Sequence, residues 1–333
     1  MSRVPSVYCC TITPFDAQQR LDEPGLQFLV ERLARAGVGA FVGTSSPGEG
    51  FALTLAETER LYGVTKEAMA GRQEVRVMGV EPRRADETYE LIKIAESVGM
   101  DAMQLYCLDL GHGSQPMPAE LELFFRANLE RMNIPAVLST HFMLGYMIPL
   151  DMLGRLIDDY PHIIGINCTT RDLDYLKQVL ELADGRVDVH VGGPQQALAA
   201  LELGGQGFLC TEAILAPMLC GSVIRHHIDQ DDTLMNAAHE RIMRLSAINV
   251  WPGGSIRFTK SALRVLGLPG WHLRPPYLPL DDIALEHIAR GLDELQIAET
   301  EHLERTSSPE PTTSRDPVGG GQASWSKKRA GPT

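Results

Sequence analysis

Short runs rich in apolar and β-branched residues alternate along the chain with longer stretches in which apolar residues recur every three or four positions. The short runs fall at 6–13, 40–45, 75–80, 102–107, 135–140, 163–168, 187–192 and 207–211. Runs of that length and composition read as strands buried on both faces. TLAETERLYGVTKEAMAG (54–71) and PAELELFFRANLERM (118–132) represent the intervening stretches. Each opens close to a Thr or Pro and carries apolar positions near i, i+3 and i+4, the pattern of an amphipathic helix. Gly37, Gly71 and Gly99 stand just before the next strand, where helices commonly end in the left-handed region that glycine enters without steric cost.

Eight strands, each followed by a helix, over roughly 230 residues predict a (β/α)8 TIM barrel, whose usual size is about 250 residues. A doubly wound open sheet is the competing architecture. It carries a GxGxxG turn after its first strand, and here the first strand runs into TPFD. The barrel is expected to occupy 1–232. Helical segments at 233–250, 255–267 and 281–304 predict a C-terminal helical annex over 233–304. The remainder, 305–333, is rich in Ser, Pro and Gly with almost no aliphatic residues. It cannot bury enough surface to offset its ordering entropy, so a disordered tail is expected.

Composition narrows the function classes. The 333 residues are 44% hydrophobic and 22% charged, with a net charge of −13. Without a basic field there is nothing to draw nucleic acid or an anionic membrane surface. No apolar run is long enough to span a bilayer, and MSRVPSVYCC lacks the apolar core of a signal peptide, so a cytoplasmic location is expected. The six cysteines form no CxxC pair and read as buried, reduced thiols. No metal or cofactor is called for, and His226, His227 and His239 are expected on helix surfaces.

In such a barrel the active site lies at the C-terminal strand ends. The second strand ends in GTSSPGEG (43–50), where Thr44, Ser45 and Ser46 combine hydroxyls with the backbone N–H groups of a glycine-containing turn, an arrangement suited to a carboxylate. The alternative for this loop is that its hydroxyls satisfy only its own backbone. Glu81 follows the third strand, Tyr106 and Cys107 end the fourth, and Ser139 and His141 end the fifth. The sixth ends in Asn167, Cys168 and Thr169, the seventh at Gly192, and the eighth at Cys210.

TITPFD, GTSSPGE, LTLAETERL, IIGIN, GGQGFLC and FTKSALRVLGLPGWHLRPPYLPL, in this order, resemble the dihydrodipicolinate synthase / N-acetylneuraminate lyase family over about residues 6–300. The resemblance implies a (β/α)8 barrel with a helical extension and a homo-oligomer, tetramer or dimer. It also implies 2-oxo-acid chemistry through a lysine Schiff base. The family's GTTGE turn holds the carboxylate, and Thr44–Ser46 occupy a turn two residues longer. Its strand-five tyrosine matches Ser139. Of its strand-four tyrosines one remains as Tyr106, and Cys107 replaces the other. Its Schiff-base lysine matches Asn167.

Asparagine has no nucleophilic amine, so the expectation is a divergent lyase, aldolase or hydratase in type, that acts on a small carboxylate without covalent catalysis. Asn167 and Ser139 would hold the substrate. His141, Tyr106 or Glu81 would move protons. Thr44, Ser45, Ser46, Cys107, Thr169, Gly192 and Cys210 would line the binding site. The alternative is a catalytically silent homologue that binds a metabolite or a partner subunit. Removal of residues from about 307 onward is expected to leave the melting temperature and any activity unchanged. A fall of several degrees in a thermal melt would show that the tail packs on the barrel.

Overall fold

A computed structural model describes residues 4–78, 84–251 and 254–304, and for Val77 and Met78 only the backbone. Glu81 and the 305–333 tail lie outside the described residues. Eight parallel strands close into a barrel in chain order: β1 (Ser6–Cys10), β2 (Gly39–Val42), β3 (Val75–Met78), β4 (Ala102–Leu105), β5 (Ala136–His141), β6 (Ile163–Thr169), β7 (Asp188–Gly192) and β8 (Gly207–Cys210). β8 pairs back on β1, with Tyr8 opposite Leu209. The closed barrel expected from the alternation is the one formed.

The outer ring consists of α1 (Glu23–Ala36), α2 (Leu55–Met69), α3 (Ala85–Val98), α4 (Pro118–Leu129), α5 (Leu150–Asp159), α6 (Leu173–Ala183), α7 (Ala197–Glu202) and α8 (Pro217–Ile228). Local sequence sets their ends. Thr54 and Glu57 form a reciprocal capping box at the start of α2, which satisfies two donors that the first turn otherwise orphans. Gly37 and Gly99 close α1 and α3 in the left-handed conformation, as the sequence suggests. α2 differs: Ala70 takes the cap at φ 48° and Gly71 follows at φ 70°.

Strand alternation divides the interior into two layers. Outward residues such as Val7, Cys9, Val42, Leu105, Ile166, Cys168, Val191 and Cys210 belong to the large core between barrel and helices. Inward residues form a separate small cluster of Tyr8, Phe41 and Leu209, with Cys10 and Tyr106 packed against it. Gly39 makes room for this cluster, because a Cβ there would stand 2.5 Å from the Tyr8 ring.

Four further helices follow among the described residues: α9 (Asp232–Ala247), α10 (Ser255–Val265), α11 (Asp282–Glu294) and α12 (Ile297–Thr300). The helical stretch expected at 281–304 is divided by Gln296, whose φ of 52° breaks the helix. His239 is no free surface residue: its Nε2 lies 2.7 Å from the Pro194 carbonyl and ties α9 to the loop after β7.

α10 also reaches under the β2 loop. Lys260 Nζ forms an ion pair with Glu49, both side chains being at most 1% exposed. The ammonium also donates to the His272 carbonyl at 2.7 Å and sits 4.4 Å from the Phe15 ring centroid. Burial still brings its pKa down to about 8, against the pull of Glu49. Nearby, Arg274 donates to the Ala52 carbonyl and pairs with Glu57, so the annex grips both ends of the loop's exit into α2.

Breaking the Lys260–Glu49 pair from one side leaves a charge buried alone, which costs about 3–5 kcal/mol. Lys260→Met is expected to lower unfolding free energy by that order in urea titrations. The double change Lys260→Met/Glu49→Gln should recover most of the loss. A double variant no more stable than the single one would show that the lysine acts through packing alone.

Candidate functional site at the barrel mouth

The lumen is layered in polarity. At its N-terminal end the Arg76 guanidinium, 2% exposed, is held by Glu74 at 2.8 Å, with Asp188 3.8 Å away. It lies 4.4 Å from the Tyr8 ring centroid, and the Tyr8 hydroxyl donates to Glu74 at 2.6 Å. His190 packs edge-on against Tyr8, and its Nε2 lies 2.8 Å from Ser6 Oγ. Burial, reinforced by Arg76, pushes the His190 pKa well below 6.5, so the ring stays neutral. A charged network thus closes the floor, and the Tyr8–Phe41–Leu209 cluster lies over it.

Ser139 on β5 and Asn167 on β6 are register partners, and Asn167 is in turn paired with the floor residue His190 on β7, which directs all three into the lumen. Asn167 Nδ2 donates to Gln104 Oε1 on β4 at 3.2 Å. On β4, β5 and β6 three buried atoms find no protein partner, Gln104 Nε2, Ser139 Oγ and Asn167 Oδ1, and His190 Nδ1 on β7 is a fourth in the lumen. Buried polar groups are rarely left so, and here they occur on four adjacent strands.

The other expected residues divide into those at the mouth and those elsewhere. His141 ends β5 two residues beyond Ser139, so alternation turns it to the same side. Its Nδ1 accepts from Met143 N at 3.2 Å and caps a short turn. That bond places the proton of the neutral ring on Nε2, and burial favours the neutral ring by lowering the pKa. His141 therefore offers its Nε2–H as a donor. Its ring stacks on Phe142, over which Arg171 lies 4.4 Å from the centroid.

Tyr106 packs on the lumen cluster. Thr169 lies on β6 against Gly192 on β7, where a Cβ would come within 1.9 Å of Thr169 Oγ1; the glycine gives clearance for the threonine. Thr44 Oγ1 accepts from Gly48 N at 2.8 Å inside its own turn, while Ser46 Oγ lies 3.4 Å from Ser255 Oγ at the start of α10. Ser45 is half-buried between them.

Two expectations are corrected. Cys107 and Cys210 face the helices, not the lumen. Cys107 Sγ donates to the Ser139 carbonyl at 3.1 Å, and burial pushes its pKa up to about 12. Cys210 Sγ lies 3.8 Å from Cys220 Sγ on α8. The inward residue of β8 is Leu209, one position earlier, and a one-residue error in a strand reverses the face.

Gln104, Arg171 and Glu212 are the additions that sequence reasoning did not select for the site. Gln104 was visible as a polar residue at an inward position of AMQL. Glu212 follows β8 and lines a cavity of about 30 Å³ with Thr211, Ser246, Asn249 and Ser255. Desolvation raises its pKa against hydrogen bonds from Ser246 and the backbone. No group of three or more His, Cys, Asp or Glu side chains among the described residues could hold a metal ion.

The sequence profile of the Dihydrodipicolinate synthetase family matches residues 4–295. The chain belongs to that family. This family member is 28% identical over 272 residues to a 4-hydroxy-tetrahydrodipicolinate synthase of Ectopseudomonas mendocina, covering 80% of this chain and 89% of the relative. It is 25% identical to the enzyme of the same name from Methanopyrus kandleri, covering 88% and 97%. Among solved structures it superposes on YagE, a prophage protein of E. coli K12 in complex with pyruvate, with a TM-score of 0.81 at 23% identity, covering 88% and 99%. For the dihydrodipicolinate synthase of Thermotoga maritima the TM-score is 0.80 at 21% identity, covering 88% and 99%. The structural likenesses fix the fold as a (β/α)8 barrel, and the family match makes it a lyase-type barrel of the dihydrodipicolinate synthetase family. No helix among the described residues is long and apolar enough to cross a membrane.

The neutral lumen histidine has a measurable consequence. The folded-state pKa of His190 lies below the unfolded value of 6.5, so the unfolded chain binds more protons in acid. Its contribution is fully present above pH 6.5 and is lost as pH falls from there toward the folded value. The contribution of this group to unfolding free energy is expected to be flat between pH 8 and 7 and to fall below 6.5, by about 1.4 kcal/mol per pH unit. His190→Gln should flatten that slope; an unchanged slope in denaturant titrations at each pH would assign the acid sensitivity elsewhere.

Proposed function

We propose that this family member is a lyase for a small carboxylate substrate, 2-oxo-acid-like in size, and that it works without a Schiff base. The observation that carries the reading is the occupant of the β6 position: Asn167, bonded to Gln104, in a lumen that holds no lysine among the described residues. Lys66, Lys93, Lys177 and Lys260 are each paired with a carboxylate, of Asp101, Glu90, Asp174 and Glu49. An amide cannot form an imine, so the electron sink has to be a hydrogen-bonded carbonyl or enolate oxygen.

In this mechanism the substrate carboxylate binds at the 44–46 turn, whose hydroxyls and backbone N–H groups donate. The amide group of the Gln104–Asn167 pair and the His141 Nε2–H donate to the oxygen on which negative charge develops. Glu212, a carboxyl that lines a small cavity with Ser255 and hence stands beside the turn, has its pKa raised by desolvation and serves as the acid/base group. In a retro-aldol step the base takes the hydroxyl proton of the adduct. The C–C bond breaks, its electron pair passes to the enolate, and a proton returns to carbon. The pyruvate named with YagE and the synthase names of the relatives support a carboxylate ligand of this size. We take the assembly to be a dimer or tetramer.

Borohydride with pyruvate is expected to leave the protein mass unchanged, whereas Asn167→Lys should allow reductive trapping at residue 167. In a screen of 2-oxo acids and their aldol adducts, Glu212→Gln should lower turnover by ~10²-fold. His141→Ala should lower it substantially, while His141→Gln, which keeps a donor, should retain most of it. Trapping of pyruvate on the unmodified chain would refute the non-covalent reading. Equal loss in both His141 variants would return that residue to a proton-transfer role. If no compound in the screen turns over or shifts the melting temperature, the catalytic assignment fails in favour of a silent binding homologue.

A further inference from the structure

The Gln104–Asn167 pair says something about the ligand that the general reading does not. Both side chains are amides, and one hydrogen bond joins them. As assigned, Asn167 donates and Gln104 accepts, leaving a free N–H₂ on Gln104 and a free C=O on Asn167. If both amides are turned over, Gln104 donates to Asn167, and a free N–H₂ and a free C=O remain with their owners exchanged. Either way the lumen presents one donor and one acceptor side by side. Ser139 Oγ, on the strand between them, supplies a third partnerless group that can do either.

All three side chains are at most 4% exposed, so a ligand atom that reaches them must satisfy them or leave them unpaired. A ketone oxygen accepts only, and would leave the amide oxygen without a donor. A carboxylate would bring negative charge against that same oxygen. The cation that would compensate, Arg76, lies at the floor and is already engaged by Glu74 and Asp188. A hydroxyl both donates and accepts, and meets the donor and the acceptor together.

We propose that the Gln104–Asn167–Ser139 layer recognises a hydroxyl, and that the ligand class is therefore 2-hydroxy carboxylates, such as simple hydroxy acids and sugar acids, in preference to 2-oxo acids. The hydroxyl enters the lumen and the carboxylate stays at the 44–46 turn. This rests on the proposal above that the barrel mouth is the ligand site, and it revises one role there: with a 2-hydroxy acid bound, the amide pair holds the hydroxyl, and the carboxylate at the 44–46 turn replaces the ketone as the group on which negative charge develops. Sites built to hydrogen-bond a substrate hydroxyl discriminate strongly against analogues that lack it, so a preference of tenfold or more is expected.

The test compares pyruvate with each enantiomer of lactate and of glycerate by calorimetric titration of the full chain. One hydroxy acid is expected to bind at least tenfold more tightly than pyruvate. Asn167→Leu, close in shape but without polar atoms, should erase the preference. Gln104→Met and Ser139→Ala serve the same purpose should Asn167→Leu fail to fold, as judged by its thermal melt. Pyruvate binding as tightly as every hydroxy acid overturns the proposal, as does a preference that survives all three variants, or no binding of any of them. The broader reading falls separately: if Asn167→Lys traps pyruvate while the natural chain shows no hydroxyl preference, the site assignment stands and the hydroxyl assignment alone is wrong.

Discussion

One buried cation organises the barrel. Arg76 is almost wholly out of water, and a guanidinium there persists only if its charge is met. Glu74, just before β3, and Asp188 on β7 meet it, and the Tyr8 face covers it. Those contacts fix where Tyr8 and His190 lie, and the glycine at 39 follows from the volume of Tyr8. Everything nearer the mouth rests on this floor. Because the floor consumes its own charge, the layer above is left with neutral amides and a hydroxyl.

The same economy of charge governs the annex. Lys260 and Glu49 are buried together away from the lumen, and the lysine's work is to hold the β2 loop from α10. The mouth therefore has one side set by strand register and another set by helices that arrive late in the chain. The 44–46 turn lies between them, with Ser46 close to Ser255. Such a turn is placed by tertiary contacts more than by its own sequence, which is why its hydroxyls divide: Thr44 is used internally and Ser46 faces the annex.

The fold was largely legible because its signal is periodic and repeated eight times. Each strand run overlaps an observed strand, and only the last helix was misjudged, since a single left-handed residue, Gln296, carries no strong sequence mark. The site was legible in part. Strand ends could be located, but facing depends on the exact residue, and Cys210 was taken where Leu209 points inward. Gln104 escaped because a polar residue within a four-residue strand looks like noise until its partner, 63 positions away, is known. The tautomer of His141 could not be read at all, because it is set by a backbone N–H in the turn that follows.

The cysteines carry a different consequence. Cys9, Cys107, Cys168, Cys210 and Cys220 are all buried in the layer between the strands and the helical ring. None belongs to the lumen, so a reagent that alkylates thiols reaches them only when the ring parts from the strands. Their rates of alkylation would then time the breathing of separate sectors of the molecule, with Cys9, Cys210 and Cys220 reporting on the seam where the barrel closes and Cys107 and Cys168 on the opposite wall. The chain thus carries its own set of clocks for local opening, placed where they leave the chemistry at the mouth undisturbed.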